Sequence, residues 1–174
     1  MLEAVISSHP EALMFQVTAA NVEQYLDFDP TRRAELVAFD DLMVANAPQL
    51  ERHFHAGTPA GEPGMRFKMI GYGRFQYPTS SGKLVAWPVV GLALQKNYIS
   101  VYLSVSKEAA PLLDSYASSL HALRTGRNNF SFDKLQDIRR SVLEALIVEA
   151  AAIVAANPGN PARFRSQSAA GKSQ

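Results

Sequence analysis

Apolar positions change their period several times along the chain, and each change marks an element. From Thr31 to Ala45, Leu36, Phe39 and Met43 recur at helical spacing, which predicts a helix burying that face. Just before it, Asn21 and Gln24 have the spacing of a reciprocal cap on a short helix through Leu26. Asp29-Pro30 then offers an N-cap and a first-turn proline, and Pro48 closes the second helix. His55 to Gly64, H-A-G-T-P-A-G-E-P-G, reads as a loop. Beyond it the period falls to two: Met65 to Tyr77 predicts a strand bent at Gly71 and Gly73, with P-T-S-S-G as its turn. Lys83 to Leu94 predicts one or two strands, with Pro88 at an edge or bulge, and Y-I-S-V-Y-L-S-V from Tyr98 predicts another.

After these strands, Ser106 or Lys107 is expected to open a helix reaching Leu120, with Pro111 near its start. R-T-G-R-N-N makes a turn and F-S-F a short strand. Asp133 and Gln136 then predict the cap of a long helix carrying Leu135, Ile138, Val142, Ala145 and Leu146, stopped by Asn157-Pro158-Gly159.

Turns this short cannot hold parallel crossovers, so the expected class is α+β: a mainly antiparallel sheet packed by N-terminal and C-terminal helices. Three regions follow: an N-terminal arm or edge element over 1–20, a folded domain over 21–156, and a flexible basic tail over 157–174. Strand alternation in the glycine segment places Tyr72, Arg74 and Gln76 on one face and Phe75 and Tyr77 on the other. The second pair is expected in the core.

A chain of 174 residues that is 47% hydrophobic suits one core. Its 17 basic and 16 acidic side chains leave a net charge of +1, which gives no bulk attraction for nucleic acid. Without cysteine there is no disulfide, thiolate nucleophile or cysteine-ligated metal site. No apolar run reaches the roughly 20 residues of a membrane span, and Glu149 interrupts the apolar C-terminal helix. The expectation is a cytoplasmic protein with no membrane or nucleic-acid partner, whose C-terminal helix packs under the sheet or across a homodimer interface.

The glycine segment M-I-G-Y-G-R-F-Q-Y fits neither a phosphate loop nor a dinucleotide fingerprint, because strand character continues on both sides and Gly82-Lys83 is followed by leucine. An RNA-recognition strand fits only in part, with Ile70 and Arg74 at positions needing a basic and an aromatic residue. The face carrying Tyr72, Arg74, Gln76 and Lys83 offers an anion or small-ligand site, with the Arg74 fork as its donor and Trp87 and Tyr102 as walls.

The run E-R-H-F-H places Glu51, His53 and His55 together if the backbone is extended, a ligand set suited to zinc or iron. Asp40 and Asp41 diverge around a helix and read as solvating residues. Arg124, Arg127, Arg139 and Arg140 border a turn and a helix start, where they are able to hold an anion or to be neutralised by Asp133 and Asp137.

In order along the chain, M-I-G-Y-G-R-F-Q-Y, S-G-K, W-P-V-V-G-L-A, K-N-Y-I-S-V-Y-L, T-G-R-N-N-F-S-F and L-Q-D-I resemble the YdhG-like family, the domain of unknown function 1801, from about Asn21 to Glu149. The resemblance implies a compact domain with an antiparallel sheet and packed helices. It also adds Lys96, which matches a family lysine before an aromatic strand. Some members of the family are described as intracellular iron chaperones likened to frataxin. Gln76 stands where members often carry histidine, and a cysteine found near Asn129 in relatives is absent, which counts against iron. The expected function is a non-catalytic small-ligand or protein-binding module; a metal carrier and an enzyme acting on a small anion are the alternatives.

Overall fold

Helix α1 (Val22–Asp27) starts on the reciprocal cap that the sequence proposes. The Gln24 amide donates to Asn21 Oδ1 at 2.8 Å, and Gln24 Oε1 accepts from the amide of Ala20, one residue earlier than a standard box, at 2.9 Å. The computed structural model describes residues 15–59, 61–62 and 66–157, and helix α2 (Arg33–Asn46) follows after a turn at Asp29. Asp29 accepts from the Thr31 amide at 2.9 Å and pairs with Arg32 at 2.7 Å, so it caps the turn rather than the helix. Arg32 also donates to the carbonyls of Gln95 and Tyr98, tying the start of α2 to a strand turn.

Strands β1 (Arg52–His55), β2 (Met69–Pro78), β3 (Leu84–Leu94), β4 (Ile99–Leu103), β7 (Arg124–Thr125) and β8 (Asn129–Phe132) form one sheet in the order β1-β2-β3-β4-β8-β7. Every neighbouring pair is antiparallel. β5 (Ser106–Lys107) and β6 (Ala110–Pro111) make a separate ribbon, and α3 (Arg140–Ala156) closes the fold. The architecture is therefore α+β, with helices against an antiparallel sheet. No helix among the described residues is long and apolar enough to cross a membrane.

Leu36, Phe39 and Met43 of α2 meet Ile70, Tyr72, Leu92, Val101 and Phe130 of the sheet and Leu143, Leu146 and Ala150 of α3 in the main core. Tyr25 of α1 is also fully buried. Its hydroxyl accepts from the Leu94 amide at 2.7 Å and donates to the Lys68 carbonyl at 3.0 Å, bridging the chain entering β2 and the end of β3. Val17 and Ala19, within the expected arm, are buried against this core, while residues 1–14 and 158–174 lie outside the described residues.

A second cluster of Met69, Trp87 and Ala93, with Phe67, Phe75, Tyr77 and Tyr102 around it, contains no helix residue. It exists because β2 and β3 curl. His55 is opposite Met69 in register and Trp87 opposite Phe75, six residues or about 20 Å further along a straight strand. Their ring centroids are nevertheless 5.0 Å apart. The bend falls where Gly71 pairs with Gly91 and where Gly73 takes φ +66, a backbone that side chains oppose. Pro88 lies opposite Arg74 in the β2–β3 ladder, next to the curl at Gly73, and supplies no N–H there.

Three sequence expectations are corrected here. No helix runs from Ser106 to Leu120: Glu108 and Ala109 both have positive φ and turn β5 into β6, and a 3-10 turn occupies Leu112–Tyr116. Pro111 explains this, since it cannot donate within a helix and its ring clashes with the preceding turn.

The Asp133–Gln136 pair does not cap α3. A 3-10 turn covers Leu135–Asp137, Ile138 and Arg139 are extended, and the helix begins at Arg140. The exposed Leu135 amide is met instead by Glu35 Oε2 from α2 at 2.7 Å.

Finally, the glycine strand does not divide into one core face and one ligand face. Tyr72 is 1% exposed within the helix-side core, Phe75 is half-buried against both clusters and Tyr77 against the smaller one, while Arg74 and Gln76 are exposed.

Candidate functional site

The residues expected to share one ligand face are distributed by the fold. Tyr72 is enclosed, its hydroxyl donating to Asp40 Oδ1 at 2.7 Å. Arg74 and Gln76 are exposed on β2. Lys83 is paired with Glu62 at 2.9 Å at one end of β3, and Lys96 lies past the other end. The 11-residue β3 lies between the two lysines, and the recess described below is lined by none of the five residues. Trp87 and Tyr102 flank Phe67, at 6.3 and 5.4 Å between centroids, in the curl.

The E-R-H-F-H run is extended, with Glu51 just ahead of β1. The His53 imidazole covers Gly71, where an added Cβ would stand 2.5 Å from the ring. Its Nδ1 lies 3.3 Å from the Glu51 carbonyl; since a carbonyl only accepts, the proton is on Nδ1 and Nε2 keeps a lone pair. His55 packs edge-on to Trp87, and its buried Nε2 has no hydrogen-bond partner. Burial lowers the pKa of both imidazoles; the Arg74 charge adds to this at each, and His53 adds to it at His55. Both are neutral rings near neutral pH. Among the described residues no group of three or more His, Cys, Asp or Glu side chains is arranged to hold a metal ion.

A different place gathers unused charge. Where β7 meets β8, a recess of about 240 Å³ is lined by Tyr98, Leu123, Arg124, Ser131, Asp133 and Asp137, with Ala122 and Phe132 completing its walls. The register sets Arg124 opposite Ser131, and both line the recess. It stacks on the Tyr98 ring at 4.7 Å. Asp133 leaves the end of β8, and Asp137 comes from the following 3-10 turn.

Among the described residues Arg124, Asp133 and Asp137 make no ion pair with one another or with other groups. Of the neighbouring cations, Lys134 reaches Glu35 at 3.5 Å and Arg140 reaches Glu144 at 2.7 Å, while Arg127 and Arg139 make no ion pair among the described residues.

Of this recess, sequence reasoning saw Arg124, with Arg127, Arg139 and Arg140, as able to hold an anion or to be neutralised by Asp133 and Asp137. It missed Tyr98, on whose ring the arginine stacks. The signal available was weak: an aromatic after a turn, 26 positions before the arginine. Also missed was the buried set of Asp40, Tyr72 and Arg52, in which Arg52 donates to Asp40 Oδ2 at 2.6 Å. Asp40 is 4% exposed and does not solvate its helix.

Comparisons with protein-family models, with curated proteins and with solved structures return no match. The chain's own geometry carries the functional reading.

Proposed function

We propose that the protein is a non-catalytic binding module for a small polar ligand, held in the recess of Tyr98, Arg124, Asp133 and Asp137. The observation that carries this reading is a set of opposite charges facing one recess without pairing. Keeping them apart leaves hydrogen-bonding capacity for something else. The guanidinium stays protonated and donates only, which suits holding an anionic group. The YdhG-like resemblance of the quoted motifs belongs to this reading as a proposal.

Native mass spectrometry of untagged protein is expected to retain a small-molecule adduct that the exposed-site variant Arg124→Gln loses. Adduct-free protein, together with unchanged thermal stability across a panel of small polar metabolites, would reject the reading.

A second reading, a metal carrier, is favoured by two neutral imidazoles on one face of β1, His53 with Nε2 free to coordinate and His55 with Nε2 unpartnered. The Arg74 charge opposes it. Titration of untagged protein with zinc or ferrous iron decides it: uptake lost in His53→Ala supports the carrier, and no uptake removes it.

A further inference from the structure

The charge arrangement of the recess narrows the chemistry of what it takes. We infer that its ligand is a small zwitterion, an α-amino acid or a compound of the same charge geometry, with its carboxylate on Arg124 and its ammonium between Asp133 and Asp137. This inference rests on the binding-module reading and specifies its ligand.

Stacking of Arg124 on Tyr98 uses the face of the guanidinium and leaves its in-plane N–H groups pointing outward. Those donors form the planar fork that matches a carboxylate with two parallel hydrogen bonds. The stack also holds the fork in place before a ligand arrives, so little side-chain freedom remains to be lost. In the same recess, Asp133 and Asp137 offer carboxylate acceptors, and an ammonium offers three donors to satisfy them. Lys134 cannot take that role, because Glu35 draws it toward α2.

Singly charged ligands fit less well. An anion reaching Arg124 would share the recess with two carboxylates, and a cation beside the carboxylates would share it with the arginine. A zwitterion turns both repulsions into attractions, provided its charges are separated by a few bonds. Size agrees, since about 240 Å³ lies below the range of roughly 300–1,000 Å³ that houses drug-sized molecules. Ala122, Leu123 and Phe132 provide a modest apolar wall for a short side chain.

Titration of the isotopically labelled full chain by NMR separates the possibilities, using L-alanine, N-acetyl-L-alanine, which is only an anion, and L-alaninamide, which is only a cation. L-Alanine is expected to give saturable shifts at the amides of Thr125, Ser131 and Asp137. Each capped compound should bind at least about tenfold more weakly, a difference of ~1.4 kcal/mol. Arg124→Gln should abolish the L-alanine shifts, Arg124→Lys should weaken them, and Asp133→Asn with Asp137→Asn should remove L-alaninamide binding. The same spectra report whether each variant is folded. Equal or tighter binding of either capped compound would overturn the zwitterion while leaving a binding module in place. Absence of saturation with all three probes at tens of millimolar, with no ligand retained by the native protein, would overturn both.

Discussion

The Tyr72 hydroxyl donates to Asp40 Oδ1 at 2.7 Å, joining the second strand of the sheet to helix α2 inside the core. Arg52 from the edge strand takes the other carboxylate oxygen at 2.6 Å, so three elements converge on one buried acid. Burial, followed by the Asp40 charge, pushes the Tyr72 phenol well above its usual range, which keeps it a donor. Tyr72→Phe is expected to cost about 1–2 kcal/mol, because a charged acceptor loses one buried partner. Asp40→Ala should cost about 3 kcal/mol, since it strands the buried Tyr72 hydroxyl and the Arg52 charge, although Arg52 is partly in water. Urea unfolding measures both; an Asp40→Ala variant as stable as the parent would remove the structural role.

Gly71 and His53 should behave as a coupled pair. A Cβ at position 71 would meet the His53 ring at 2.5 Å, so Gly71→Ala forces the imidazole off the strand and should destabilise by about 1–3 kcal/mol. Pro88 Cβ, at 3.1 Å, limits the room on the other side. The double variant Gly71→Ala with His53→Ala should recover part of the loss. Strict additivity in the double-mutant cycle would show that the ring is not the obstacle.

Acid should weaken the fold in a window set by histidine. The folded pKa values of His53 and His55 lie below the ordinary value near 6.5, chiefly through burial. Below about pH 6.5 the unfolded chain therefore binds more protons than the folded one, and stability falls as pH drops through that value. Above it the contribution is fully present. Asp29, held at about 2 by hydrogen bonds from Thr31 and Arg32, acts only in a more acidic range. Urea midpoints between about pH 7 and 5 should decline in the parent and less steeply in His55→Gln; parallel slopes would contradict this origin.

Glu149 of α3 binds the β5–β6 ribbon through Lys107 and the adjoining 3-10 turn through Tyr116, whose hydroxyl donates at 2.6 Å. Burial and then the carboxylate hold the Tyr116 phenol at about 12. Burial raises Tyr25, Tyr72 and Tyr102 as well, so spectrophotometric titration should show the late-ionising group of tyrosines losing one member in Tyr116→Phe, and one member moving down in Glu149→Gln. If Glu149→Gln leaves the titration unchanged, the carboxylate does not set the phenol.

Local chemistry made much of the fold legible. The cap at Asn21 and Gln24, the Leu36–Phe39–Met43 face and the short turns between strands each act over a few residues, so their consequences appear in the right order along the chain. The helix expected after Ser106 shows where that reasoning stops. Its apolar spacing was real, but Pro111 and two left-handed residues turned the segment into a ribbon whose partner is α3.

The sequence by itself determined an α+β chain with an antiparallel sheet, because turn length forbids crossovers and periodicity distinguishes helix from strand. It also defined two faces for β2. Which face meets the helices was a tertiary decision: alternation is symmetric between Tyr72 and Phe75, and only the docking of α2, with Asp40 waiting for a donor, makes the Tyr72 side the inner one. The recess was decided in the same way. Tyr98, Arg124 and Asp137 are distant in sequence, and the β4–β8–β7 ladder, with Glu35 capping Leu135 from 100 residues away, brings their charges to one place and keeps them unpaired.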